Sequence, residues 1–117
     1  MDYNQTHNIT YIYTMYFSIG LSHFNKLYNI SMQIWEFSLV LLIYSRFGGN
    51  QFFEREIIDI TTKRKLATLL TRGLIVKLAK GYSLNPLYLA EIAQQNDYIY
   101  NRFLTPKYNK FLTSDNQ

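Results

Sequence analysis

The 117-residue sequence has no cysteine. That excludes disulfide staples, thiolate metal sites and thiol nucleophiles, and it fits a reducing compartment. Histidine is almost as scarce. His7 and His23 are the only two, and neither stands at motif spacing from a partner, so neither a metal site nor a catalytic centre is expected. The clustered acids Glu54, Glu56 and Asp59 read as capping or solubility residues. With five glycines and two prolines, the chain has no low-complexity linker and no Gly-rich phosphate loop; Gly48-Gly49 is a lone pair that reads as a helix stop. The most apolar window, IWEFSLVLLIY, is shorter than a bilayer span and contains Glu36. No basic segment precedes the first apolar run, and Met1 is followed by Asp2. These absences predict a soluble, cytoplasmic protein that is not an enzyme, with no cofactor, no metal and no membrane partner.

The most informative absence is local. Residues 60–90 hold no acid at all, yet six of the twelve Lys and Arg residues fall there: Lys63, Arg64, Lys65, Arg72, Lys77 and Lys80. The formal net charge of the whole chain is only +4. Clustering therefore matters more than the sum, because a local potential steers an anionic partner.

What is present is an apolar, aromatic chain: 48% hydrophobic and 17% aromatic, with eleven tyrosines. One domain with a single core is expected over residues 9–104, with polar tails at 1–8 and 105–117. Phe17, Leu21, Phe24 and Tyr28 form a helical stripe in 9–29, although Gly20 weakens that helix. Ser31 is the expected N-cap of MQIWEFSLVLLIYSRF, a helix apolar on nearly every face and therefore central. Phe52-Phe53 reads as a short extended piece, followed by a brief helix from Glu54 to about Ile60. Thr61 or Thr62 caps a basic helix at about 62–72 that ends at Gly73. Leu66, Leu69 and Leu70 form its inner stripe. Beyond it, Leu74, Val76 and Leu78 alternate with Ile75, Lys77 and Ala79 as a strand does; Lys80-Gly81 turns the chain and YSL returns. Asn85-Pro86 opens a last helix at 86–104.

The fold class predicted is mainly α with a small β-hairpin. The stretch KLATLLTRGLIVKLAKGYSLNP resembles the winged helix-turn-helix of MarR-type regulators, in which a recognition helix ends in a leucine pair, a basic residue and Gly-Leu-Ile before the wing. It is also similar to winged helices of plasmid and phage replication proteins. The resemblance covers about residues 31–90. The segment at 54–60 is short for the second helix of the motif, and the wing, at about 74–84, is short too and lacks the Asp and Arg pair of MarR-type wings.

The resemblance implies double-stranded DNA as the partner, with Thr62, Lys63, Arg64, Lys65, Thr68, Arg72, Lys77 and Lys80 as DNA-binding residues. Arg64 and Lys65 would face base edges, and Lys77 and Lys80 phosphates or the minor groove. The function expected is sequence-selective binding by a transcriptional regulator of a bacterium, phage or plasmid. The alternatives are a replication accessory protein, or a winged helix of structural or interaction type that binds protein. Single-strand stacking on Tyr98, Tyr100, Phe103 and Tyr108 is a weaker reading. The aromatic flanks exceed what one small core can cover, which predicts a homodimer through Tyr13, Tyr16, Phe17, Phe24, Tyr98 and Phe103.

Overall fold

The computed structural model describes residues 17–99. The expected tails at 1–8 and 105–117 lie outside them, as do residues 9–16 and 100–104 of the two segments expected to be flanking helices. Among the described residues the order is α1 (17–28), α2 (Ile34–Phe47), a 3-10 turn (Glu54–Glu56), α3 (Lys63–Thr71), β1 (Ile75–Lys77), β2 (Tyr82–Leu84) and α4 (Pro86–Ile99). The chain is mainly helical with one hairpin, as the hydrophobic periods require.

Helix α2 is the centre. It buries Phe37, Leu39, Val40, Leu41 and Ile43, and α4 packs along it. Buried Asn96 locks that packing, its Nδ2 donating to the Leu41 carbonyl at 3.1 Å and to Ser45 Oγ at 2.9 Å. A buried amide with both bonds satisfied fixes the register of two helices that apolar contacts alone would let slide. Helix α1 lays Phe24 against Phe37, Tyr28 and Tyr88. Gly20 lies against α4 and α2, and a Cβ there would run into Gln95 Oε1 and the Phe37 ring. The residue that lowers helix propensity is the one that permits the approach.

Two local expectations are corrected. Ser31 does not cap α2. Asn25 reaches across from α1, donating Nδ2 to the Met32 carbonyl and accepting from the Met32 N–H, both at 2.9 Å. That pins residue 32 in the connection and delays the helix to Gln33, whose N–H donates to Glu36 Oε1 at 2.7 Å. The brief helix expected from Glu54 to about Ile60 is one 3-10 turn followed by a non-helical turn.

The hairpin pairs Ile75 with Leu84, Val76 with Ser83 and Lys77 with Tyr82. Phe52 adds a one-residue third strand on the other edge of β2, exchanging two 2.8 Å hydrogen bonds with Tyr82. The turn passes through Gly81 at φ +82°, and a Cβ there would collide with the Phe52 carbonyl. Only glycine fits both the angle and the space. Asn85 then joins three elements. Its Nδ2 donates to the Gly73 carbonyl at 2.7 Å, its N–H to the Leu74 carbonyl at 3.0 Å, and its Oδ1 accepts from Leu87 N–H at 3.0 Å.

Candidate functional site

The acid-free stretch folds into α3 and the hairpin. Leu66 and Leu69 are the buried residues of α3, at i, i+3 spacing, so one side of the helix faces the core. Leu70, expected on that inner stripe, is partly exposed at its edge. Thr62 caps the helix, its Oγ1 accepting from Lys65 N–H at 3.2 Å. Lys63, Arg64 and Lys65 follow directly, all exposed, and the first turn carries no acid. Three cations stand at the positive end of the helix dipole, where an anion would be favoured.

The eight sequence-predicted residues divide by what they touch. Lys63 Nζ lies 3.7 Å from Glu54 Oε2, a loose exposed pair. Lys65 Nζ lies 5.5 Å from the centre of the Trp35 ring, on the α2 side. Arg64 is exposed and has no carboxylate or ring partner among the described residues. Thr68 is half-buried and donates its hydroxyl to the Arg64 carbonyl at 3.1 Å. Lys77 lies over the Tyr82 ring at 4.7 Å, and Lys80 is exposed near the hairpin tip.

Arg72 is the residue whose role the sequence did not reveal. Its Nε meets Oε2 of Glu36, a carboxylate that is 0% exposed. The contact is an ion pair without an aligned hydrogen bond, since Oε2 accepts none of good geometry. Glu36 is thereby held on both oxygens, one by its own helix cap and one by the end of α3. Arg72 is thus first an anchor for α3, though its side chain remains 37% exposed. A glutamate in an apolar helix was the available signal, because a buried carboxylate requires a partner.

The neighbouring acids are structural. Glu56 Oε1 accepts from Phe53 N–H at 2.8 Å. Asp59 binds Arg46 through two hydrogen bonds of 2.9 and 3.1 Å, and the guanidinium holds the Asp59 carboxyl below its usual range. His23 Nε2 lies 3.5 Å from Glu91, which also accepts from Gln95 at 2.9 Å. Burial, and then the Glu91 charge, push the Tyr28 phenol up. No group of three potential metal ligands occurs among the described residues, and no helix there is long and apolar enough to cross a membrane.

The expected dimer surface needs one correction. Phe24 is 0% exposed, at the heart of the protomer's own core, and cannot face a partner. Phe17 is half-buried and meets the Phe37 ring edge-on, with centroids 5.9 Å apart. Tyr98 is partly exposed, while Tyr13, Tyr16 and Phe103 lie outside the described residues. On α1 the outward apolar residues are instead Ile19 (56%) and Leu27 (54%), and on α4 Leu87 (66%). No family model, no curated protein and no solved structure matches the chain.

Proposed function

We propose that this chain is a winged helix-turn-helix that binds double-stranded DNA with sequence selectivity, as a transcriptional regulator does. In this reading α3 enters the major groove and the β1–β2 hairpin is the wing, with Lys77 and Lys80 against the phosphate backbone. The observation that carries it is the capped N-terminus of α3. Lys63, Arg64 and Lys65 are exposed there with no acid in the turn. Cations at a helix N-terminus are unfavourable by about 0.3–1 kcal/mol each when nothing anionic is near. A phosphate backbone reverses that sign.

The test is fluorescence anisotropy with duplex DNA over a salt series. Binding should weaken linearly in log salt, with a slope of about 0.9 for each phosphate neutralised. Replacing Lys77 or Lys80 with Ala should lower affinity for all sequences alike and flatten the slope. A wild-type protein that binds no duplex at low salt would remove the proposal and leave a protein partner as the reading for this surface.

Two-fold pairing belongs to the same proposal. Ile19 and Leu27 are eight residues apart and share one outward face of α1, and pairing there would set two copies of α3 against a near-palindromic site about 34 Å apart. Light scattering at micromolar concentration should give a dimer, and Ile19→Glu with Leu27→Glu a folded monomer. A monomeric wild type ends the pairing claim without touching the DNA claim.

A further inference from the structure

The outward face of α3 presents Arg64, Ala67, Thr68 and Thr71, at i, i+3, i+4 and i+7, and together with Arg72 they line one shallow concavity. The other basic residues of α3 and its cap are engaged elsewhere: Lys63 beside Glu54, Lys65 over Trp35 and Arg72 on Glu36. Arg64 is the α3 cation with no such engagement among the described residues. Ala67 and Thr71 are exposed and each offers a methyl group. The hydroxyl proton of Thr68 is already donated to the Arg64 carbonyl, which leaves that side chain an acceptor and a methyl. The face therefore carries one guanidinium and a run of methyl groups.

Chemistry in the major groove sorts these. A guanidinium donates two parallel bonds to guanine O6 and N7, and no other base offers two acceptors there. A methyl group meets the C5-methyl of thymine. From residue 64 to residue 71 the helix rises about 10 Å at about 1.5 Å per residue, which matches about three base-pair steps. We propose, resting on the DNA-binding reading above, that Arg64 selects a guanine and that Ala67 and Thr71 select thymine within the next three base pairs. Lys65, although adjacent in sequence, contributes charge and no base selection.

The experiment uses the full chain. A bound sequence is first enriched from randomised duplexes, and its affinity is measured by anisotropy. Each guanine is then replaced by 7-deazaguanine, which lacks N7, and each thymine by uracil, which lacks the methyl. One 7-deazaguanine should weaken wild-type binding about tenfold and leave Arg64→Ala unaffected. Uracil in place of the thymine that Thr71 reads should weaken wild-type binding about fourfold, the worth of one buried methyl group, and leave Thr71→Ser unaffected. Circular dichroism confirms that both variants are folded.

Salt-dependent duplex binding with no enriched sequence overturns this inference and leaves the DNA reading standing. Discrimination that survives Arg64→Ala but disappears in Lys65→Ala overturns the assignment of Arg64. Absence of any duplex binding overturns both.

Discussion

The turn at 54–60 and the helix that follows it treat charge in opposite ways. In the turn every acid has a partner within the chain. Glu54 faces Lys63, Glu56 caps the 3-10 turn, and Asp59 clasps Arg46. In α3 and the hairpin, Arg64 and Lys80 have no acid or ring partner among the described residues, while Lys77 lies over a ring that leaves its charge uncancelled. The acids therefore hold the scaffold, while part of the basic set has no such partner among the described residues. Charge count alone does not distinguish the two regions; partners do.

The comparison can be broken most severely at Arg72, the C-cap of α3, which is paired with a fully buried acid. Replacing it with Met strands Glu36 as an unpaired buried charge, which should cost about 3 kcal/mol, the low end for a broken buried pair because Arg72 is partly open to solvent. Urea denaturation measures it. Adding Glu36→Gln should restore most of the loss, because an amide keeps the bond to Gln33 N–H and carries no charge. Equal midpoints for wild type and Arg72→Met would refute the anchoring role.

A smaller effect is expected at the cap. Thr62→Ala removes the acceptor for Lys65 N–H at a helix start already crowded with cations, and should cost about 1 kcal/mol. If stability is unchanged, the cap is not what holds α3 against its own charges.

The Arg46–Asp59 pair is more exposed and should be felt mainly through pH. Asp59 is held below its ordinary value first by the Arg46 hydrogen bonds. Its contribution is therefore complete above the unfolded carboxyl pKa of about 3.9 and is lost as pH falls through the lower folded value. The denaturation midpoint of wild type should fall across this acid window, and Asp59→Asn should flatten that part of the fall. Arg46 is raised, so its share is constant through neutral pH. An acid limb identical in the variant would remove the pair from the account.

At the small end, Lys80→Ala should change stability by less than about 0.5 kcal/mol, as surface substitutions away from such contacts do. A larger loss would show that Lys80 helps hold the fold and that the contrast with the turn is overdrawn.

Much of the fold was readable because local signals agreed. Thr62, Gly73 and Asn85-Pro86 mark their boundaries through chemistry contained in a few residues, and the change from helical to alternating period located the hairpin. What was not readable depends on distant partners. Gly20 reads as a helix weakness until Gln95 and Phe37 are brought against it. Phe24 reads as an interface aromatic because its stripe does not say which copy of the chain covers it. Ser31 is a better cap than Gln33 in isolation, and loses because Asn25 fixes the connection. The basic cluster was found as a set, but dividing it into anchor, ring-stacked and outward residues required Glu36, Trp35 and Tyr82 in place.

Asn85 gives the molecule a mechanical property. One side chain and its own amide grip the tail of α3, the approach to β1 and the head of α4. A swivel of α3 against α4 therefore strains the two hydrogen bonds that tie Asn85 to Gly73 and Leu74, while its bond from Leu87 N–H holds Asn85 to the head of α4. Torque applied to the outward face of α3 would pass through Asn85 to the flanking helix α4. In a two-fold pair built on the flanking helices, that stiffness would make the distance between the two copies of α3 a ruler, and a site with altered spacing would have to deform itself to fit.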